Sequence, residues 1–310
     1  MRGSCWGFPA AVPGEKVRKL RRLASRVPVL PLGRRVDVHV HLSRYWPDLA
    51  RNSYRSGLDF TVPSLLRELD AQSVGFAVLL QLYLSPSPAE VLREGEEMFT
   101  KSGGRLLRTV TMDPTQGEAA VHETLEMWKR ARDLVAIKLY PGYRSFYPHD
   151  TRLYPVYEFA HKAQIPVMIH QGDTLDPNGQ LKFARPLEVD EVAVRFRDVR
   201  FVLCHLGNPW IEEVAEVVYK NSNVYTDTSG LLANPAVPYF REMMGRAQRR
   251  LTNAIAAMGD ARRVLYGSDW PLESIETAVG LITGLDLPAE DKELILGGNA
   301  RALFRIDVSD

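Results

Sequence analysis

The sequence contains little cysteine, almost no net charge and no long apolar run. Its two cysteines, Cys5 and Cys204, lie far apart in the 310 residues, which excludes a disulfide framework and a cysteine zinc cage and favours a reducing, cytoplasmic location. The formal net charge is +1, whereas proteins that bind nucleic-acid backbones usually carry a basic excess, so we expect no nucleic-acid partner. No apolar run approaches the ~20 residues of a membrane helix, so we expect no membrane association.

The beginning of the chain differs in composition from the rest. It is rich in arginine and lysine, lacks the continuous apolar core of a secretory signal, and contains Pro9, Pro13 and Gly14, which interrupt any long amphipathic helix. We therefore predict an N-terminal arm over residues 1–33 and a single catalytic domain over residues 34–310. A domain of that length is typical of one α/β barrel.

Apolar, β-branched runs alternate with helical segments along the remainder of the chain. The pattern predicts strands at residues 36–41, 76–80, 106–112, 134–140, 165–170, 199–205, 223–227 and 264–266. A helix follows each strand, including a long one over residues 235–258, and a final helix is predicted near residues 289–303. Eight successive βα units favour a closed (β/α)8 TIM barrel over an open sheet. No G-x-G-x-x-G follows the first strand, which argues against a dinucleotide-binding fold.

The first strand carries an unusual set of polar residues. It reads Val-Asp-Val-His-Val-His over residues 36–41, and regular alternation predicts Asp37, His39 and His41 on one face and the three valines on the other. Buried imidazoles need partners. A metal ion, with zinc as the default, satisfies two converging histidines, and a hydrogen-bonded histidine pair is the alternative.

Further polar residues end later strands of the predicted barrel: Lys138, His170, His205 and Asp269. Each has an ordinary interpretation, such as a helix cap for Asp269 or a snorkelling side chain for Lys138. Their shared placement on the C-terminal rim, where barrel active sites lie, favours a functional site. Cys204, which precedes His205, is predicted to be a core thiol.

These strand-end motifs, together with Ile-Lys-Leu-Tyr-Pro at 137–141 and Tyr-Gly-Ser-Asp-Trp-Pro at 266–271, resemble those of the amidohydrolase superfamily, and in particular its amidohydrolase-related branch, over roughly residues 34–305. The resemblance implies a metal bound by His39, His41, His170 and Asp269. It also implies that His205 and Asp269 act on the substrate and move protons. Asp37 would support a ligand without touching the ion.

Lys138 decides the expected metal count. In binuclear members of the superfamily a lysine at this place is carboxylated and bridges two metals, whereas an unmodified lysine could bind a substrate carboxylate. We expect one divalent ion, zinc or manganese, because the branch that this chain resembles is mononuclear.

The resemblance leaves the reaction open between three alternatives. The main expectation is hydrolysis of a carboxylic ester, lactone or amide by a metal-activated water. The alternative is non-oxidative decarboxylation of an aromatic or unsaturated carboxylic acid. A non-catalytic metal-binding barrel is the third, and it predicts a substituted site residue that the sequence does not show. No G-x-S-x-G motif supports a serine hydrolase.

The expected partner is a small molecule, with a carboxylate as one candidate group, and homodimers are common in the branch. Rim-loop residues that could contact the substrate are Arg44, Tyr143, Arg144 and Arg185. The alternative for the three arginines is a solvated loop charge.

Overall fold

The computed structural model describes residues 33–46, 53–54, 57–84, 86–232 and 238–306. Within them, eight strands form one sheet in sequence order, and each neighbouring pair is parallel. They are β1 (Arg35–Val40), β2 (Val74–Leu79), β3 (Leu106–Met112), β4 (Leu134–Leu139), β5 (Val167–Ile169), β6 (Phe201–Leu203), β7 (Val224–Asp227) and β8 (Val264–Leu265). The predicted arm lies outside the described residues, apart from residue 33.

Helices separate successive strands and follow the last one. They are α1 (Val62–Ala71), α2 (Pro88–Lys101), α3 (Glu118–Arg130), α4 (Tyr154–Ala163), α5 (Glu188–Arg195), α6 (Ile211–Lys220), α7 (Phe240–Met258), α8 (Ile275–Thr283), α9 (Ala289–Glu293) and α10 (Asn299–Phe304). Serine and threonine side chains cap several of them; Thr61, for example, accepts a hydrogen bond from the backbone of Ser64 at the start of α1. Among the described residues, no helix combines the length and apolarity needed to cross a bilayer.

Two predicted helices differ from the helices in the structure. The final helix predicted near residues 289–303 is divided by a π-helical turn over Leu294–Gly298. At Gly297 a Cβ atom would lie 2.3 Å from the carbonyl oxygen of Arg34, so this turn lies directly against the chain that enters β1. The helix predicted from residue 235 begins at Phe240 in the structure, and residues 233–237 are not described.

Backbone hydrogen bonds join the two ends of the sheet. Val38 N donates to Tyr266 O at 2.9 Å, His41 N donates to Trp270 O at 2.7 Å, and Asp269 N donates to His39 O at 2.8 Å. β1 therefore pairs with the segment that directly follows β8, between Tyr266 and Trp270. This seam closes the sheet, and the predicted (β/α)8 TIM barrel is confirmed.

The apolar core has two parts. A large outer cluster lies between the strands and the surrounding helices. A smaller inner cluster fills the barrel with side chains such as Val38, Val78, Met168, Val202 and Leu265. The inner cluster also includes residues of α10, so the barrel interior is a packed core and not a channel.

The predicted regular alternation of β1 was wrong. Val36 and Val38 belong to the inner cluster, whereas Val40 belongs to the outer one. The register of β1 on β2 shifts between Asp37 and Val40, and such irregularities re-aim side chains at the rim of a barrel. In consequence Val40 packs outside the barrel, although Val36 and Val38 fill its interior.

Candidate metal centre

Three side chains from the two sides of the barrel seam converge on one point. His39 Nε2 and His41 Nε2 lie 3.2 Å apart, and Asp269 Oδ1 lies 3.4 Å from the first and 3.3 Å from the second. Two ligands held about 2.1 Å from a tetrahedral zinc ion are about 3.4 Å apart. The triangle therefore has the size that a single divalent ion requires.

Hydrogen bonds outside the triangle orient both imidazoles toward its centre. His39 Nδ1 donates to Asp227 Oδ2 at 2.9 Å, and His41 Nδ1 donates to the carbonyl oxygen of Leu80 at 3.1 Å. Each Nε2 therefore directs a lone pair inward. Asp269 Oδ1 is buried and has no hydrogen-bond partner. Three electron-pair donors facing one another without a hydrogen between them fit a bound cation.

The protonation states also match those of metal ligands. Burial, reinforced by the positive charge of Lys138, lowers the pKa of His39 to about 3, so its imidazole is neutral. Burial raises the pKa of Asp269, but the facing imidazoles of His39, His41 and His205 outweigh that effect and hold the pKa well below its usual value. A neutral imidazole and an ionised carboxylate are the forms that bind metals.

His170 and His205 extend the site along the rim. His205 Nε2 lies 3.1 Å from His170 Nδ1, and His170 Nε2 donates to the carbonyl oxygen of Asp173 at 2.9 Å. That bond leaves the lone pair of His170 Nδ1 facing His205. Among the described residues, a second buried group, His39, Cys204 and Asp227, also has ligand atoms close enough to hold an ion. His170 is a member of neither group, so its predicted role as a metal ligand stays a prediction.

Two residues that sequence reasoning missed, Asp227 and Ser229, hold the histidines in place. Asp227 ends β7, and its Oδ1 accepts from the backbone nitrogens of His205 at 2.9 Å and Ser229 at 3.1 Å. Asp227 ends the predicted strand 223–227 as other polar residues end theirs, so the same reasoning could have found it. No sequence signal marked Ser229.

The backbone at the site adopts strained conformations. His205 and Asp269 each have a φ of 62°, a left-handed value that non-glycine residues adopt uncommonly. At Gly230 a Cβ atom would lie 3.0 Å from His205 Nδ1 and 3.1 Å from Asp269 Oδ2. Only glycine therefore lets the loop after β7 approach both side chains this closely.

The structure places Lys138, Cys204 and Asp37 beneath or beside these ligands. Lys138 Nζ donates to Cys204 Sγ at 2.9 Å, and both residues are fully buried. Cys204 belongs to the inner cluster, as predicted, and burial raises the pKa of its thiol. Asp37 Oδ1 accepts from the backbone nitrogens of His39 and Ser268, both at 3.0 Å. It thus supports the backbone of a ligand and not an imidazole, and burial raises its pKa to about 7.

Three tyrosines form an aromatic wall on the His170 side of the rim: Tyr83, Tyr140 and Tyr143. The ring centres of Tyr83 lie 5.1 Å from Tyr140 and 5.5 Å from Tyr143. Tyr143 contacts His170 edge to face at 4.7 Å. The planes of the three rings are inclined to one another by 60°, 34° and 77°, so the wall is a cluster of tilted aromatic rings that begins at His170.

The predicted substrate-binding arginines are engaged in ion pairs. Arg44 pairs with Glu94 and Glu97, and Arg185 pairs with Glu213 and stacks on Trp210. Arg144 pairs with Asp113 at 2.8 Å and lies over the ring of Tyr83 at 5.4 Å. Arg144 is thus the one of the three that adjoins the aromatic wall.

The buried histidines predict how stability depends on pH in metal-free protein. His39 binds a proton below about pH 6.5 when unfolded but only below about 3 when folded. The unfolded state therefore binds more protons in this window, and the free energy of unfolding should fall as pH drops through it, by about 1.4 kcal/mol per pH unit and group. Burial also lowers the pKa of His170 and of His205.

Asp37 opposes this effect. Its folded-state pKa is about 7 against an ordinary value of 3.8, so its contribution to stability falls as pH rises through that range. Burial raises the pKa of Glu273 in the same way. With three histidines against two carboxyls, denaturant unfolding after chelation should give lower stability at pH 5 than at pH 7. His170→Asn should flatten the profile, whereas His122→Asn, on the exposed face of α3, should leave it unchanged. A wild-type profile that is flat or rises toward low pH would contradict the assignment.

The fold and this site place the chain among the (β/α)8 barrels that carry a cluster of candidate metal ligands at the C-terminal rim. A family model described as amidohydrolase matches residues 36–306. The chain belongs to the amidohydrolase family, whose members depend on metal ions.

Comparison with individual proteins adds distant relatives. The chain is 21% identical over 277 residues to a gamma-resorcylate decarboxylase of Polaromonas sp. strain JS666, covering 83% of this chain and 78% of that protein. Its fold is similar to three solved structures, each covering 88% of this chain. An amidohydrolase from Burkholderia multivorans with bound zinc has a TM-score of 0.66 at 17% identity and 99% coverage of its own chain.

The other two structures are decarboxylases. The 5-carboxyvanillate decarboxylase of Sphingomonas paucimobilis has a TM-score of 0.62 at 15% identity, with 99% of its chain covered. A dihydroxybenzoic acid decarboxylase of Polaromonas sp. JS666, with bound manganese and 2-nitroresorcinol, has a TM-score of 0.61 at 17% identity, with 97% covered. At these identities the structural similarity establishes the fold alone.

Proposed function

We propose that the protein is a metal-dependent, non-oxidative decarboxylase of a small aromatic carboxylic acid. The observation that carries the proposal is the aromatic wall beside the ligand triangle, because a flat conjugated ring packs on tyrosine rings and can direct its carboxylate toward an ion. The relatives named as decarboxylases of dihydroxybenzoates and of 5-carboxyvanillate support the same substrate class. This reverses the order of the two reactions expected from the sequence.

In this proposal His39, His41 and Asp269 hold the ion, and His170 completes the set. When bound, the ion supplies positive charge that binds the substrate carboxylate and a neighbouring hydroxyl group. We propose zinc or manganese, since one of the similar structures contains zinc and another contains manganese. We also propose that a single ion is bound, because the Lys138 amine points to Cys204 Sγ and is not positioned as a carboxylated bridge.

His205 is proposed to move the proton that replaces CO₂ on the ring carbon. Its Nδ1 side lies against Ser229, so Nε2 is the atom available for proton exchange. Burial lowers the pKa of His205, which makes its protonated form a stronger acid toward carbon. Tyr143 would support the ring of the substrate, and Arg144 would contact a polar substituent at the outer end of the wall.

The test is a panel of hydroxylated benzoates incubated with zinc-loaded or manganese-loaded enzyme. We expect release of CO₂ and formation of the matching phenol, abolished by His205→Asn and by chelation, and preserved in His161→Asn, whose histidine lies on α4 and is exposed. Absence of CO₂ release from every acid, with a stoichiometric metal content, would refute the proposal.

Hydrolysis is the second candidate. The amidohydrolase with bound zinc has a TM-score of 0.66, whereas the two decarboxylases have 0.62 and 0.61. The same preparation should therefore be tested with lactones, esters and amides. Turnover of one of these without CO₂ release would favour hydrolysis, with Asp269 and His205 moving protons to and from water and the leaving group.

A further inference from the structure

We propose that the protein binds a phosphate group in a cavity at the N-terminal face of the barrel, at the opposite end from the candidate metal centre. The cavity has a volume of about 350 Å³, which is within the range of small-molecule sites. It lies between the end of α4, the segment that joins α5 to β6 and the segment that joins α6 to β7. Its lining includes His161, Arg197, Asp198, Arg200, Asn223 and Tyr225.

The lining carries more positive than negative charge. Arg197 is exposed and Arg200 is half-buried, and Asp198 supplies the carboxylate of the lining. Within the part of the chain that the structure describes, the side chains of the two arginines make no ion pair or hydrogen bond. The arginines of the rim loops, by contrast, are each held by a carboxylate. Two guanidinium groups are therefore available to bind a phosphate, which they match through paired N–H donors.

The backbone that carries both arginines is fixed by Asn223. The side-chain amide of Asn223 donates to the carbonyl oxygens of Phe196 at 3.2 Å and Val199 at 2.9 Å. The carbonyl oxygen of Arg200 accepts from Val167 N at 2.9 Å, which ties the same segment to β5. A ligand therefore does not have to order this segment when it binds, and the entropic cost of binding is smaller.

Two rings and a third guanidinium group complete the surroundings of the cavity. Tyr225 is half-buried and packs against the inner cluster, and His161 Nδ1 lies 3.5 Å from the carbonyl oxygen of Asp198. Gln164 also lines the cavity, and its Oε1 accepts from Arg305 Nη2 at 3.0 Å. The cavity is larger than a phosphate ion, so a phosphate monoester with a small organic group also fits beside the rings.

Strand β6 separates this cavity from the candidate metal centre. Arg200 precedes the strand and His205 follows it, and five residues of extended chain span about 16 Å. Apolar side chains of the inner cluster, such as Val202 and Met168, fill the barrel between the two ends. A phosphate in the cavity therefore does not touch the metal site, and its binding is independent of the reaction proposed above.

The test is isothermal titration calorimetry of zinc-loaded protein with inorganic phosphate and with phenyl phosphate at constant ionic strength. We expect one equivalent to bind with a Kd of about 1 mM or lower. Arg200→Gln should weaken binding at least about 10-fold, as loss of a charged hydrogen-bonding partner typically does. The matched control is Arg195→Gln, which removes the same charge from α5, where the side chain lies over the ring of Tyr154 and outside the lining. It should leave the Kd unchanged.

Two further measurements separate the cavity from other causes. Asp198→Asn removes the carboxylate of the lining and should tighten phosphate binding about 2- to 5-fold, a gain that misfolding cannot produce. Chelation of the zinc should leave the Kd unchanged, because the cavity does not include the metal ligands. Binding that disappears on chelation, binding that persists unchanged in Arg200→Gln, or absence of binding to both probes would overturn the proposal. Tighter binding of phenyl phosphate than of phosphate would identify a monoester as the ligand, and equal or weaker binding would identify free phosphate.

Discussion

Replacing Asp269 with asparagine is expected to remove both the metal and the activity. The substitution keeps the shape of the side chain but takes away the charge that faces His39 Nε2 and His41 Nε2 at 3.4 and 3.3 Å. Wild-type protein purified without a chelator or a histidine tag should contain about one equivalent of zinc or manganese, as a single ligand triangle requires. Asp269→Asn should contain almost none, and kcat/KM should fall by more than about 100-fold, because loss of a residue that only supports a metal ligand already costs about 10- to 100-fold.

Asp286→Asn makes the same chemical change at an exposed position near the end of α8 and should retain metal and activity. Elemental analysis and steady-state kinetics on both variants decide the matter. Full metal occupancy in Asp269→Asn would show that the triangle does not bind the ion. About two equivalents in the wild type would contradict the single-ion assignment and return Lys138 to the role of a bridge.

Replacing Asp227 with asparagine is expected to destabilise the fold strongly. Asp227 is fully buried and accepts hydrogen bonds from His39, from Ser229 and from the backbone of His205. An asparagine amide would direct N–H groups against these donors. Removing one partner of a buried charged network typically costs about 3–5 kcal/mol.

Asp190→Asn provides the comparison at the surface. Asp190 accepts from Lys220 in a partly exposed ion pair at 2.6 Å, so its replacement should cost only about 0–1 kcal/mol. Denaturant unfolding of both variants and of the wild type, with saturating zinc, measures how much each substitution lowers the free energy of unfolding. Similar losses in the two variants would mean that Asp227 does not organise the site.

The fold and most of the candidate site could be predicted because strands and helices alternate regularly along the chain and the site residues stand at the ends of the strands. Alternation of apolar strands and helices specified the barrel, and polar residues at strand ends indicated the rim, so His39, His41 and Asp269 were found from position alone. Asp227 obeyed the same rule and was overlooked because, unlike Asp269, it belongs to none of the motifs that carry the family resemblance.

The remaining features depend on local geometry that no period encodes. The irregular register of β1 placed Val40 in the outer cluster, away from Val36 and Val38, although regular alternation predicted all three valines on one face. Ser229 became part of the site only because a left-handed Gly230 folds the loop back against His205. The ion pairs of Arg44 and Arg185 formed with acidic residues far along the chain, which a rim position cannot reveal.

The seam of the barrel gives the proposed metal site a place in the order of assembly. His39 and His41 come from the first strand and Asp269 follows the last, and the seam hydrogen bonds lie between the same residues. A ribosome-bound chain that ends before Asp269 has two donors of the triangle and lacks the third. At the proposed site, high-affinity capture of the ion would therefore come late in biogenesis, once the segment after the last strand has been synthesised, and a bound ion would join the two ends of the barrel.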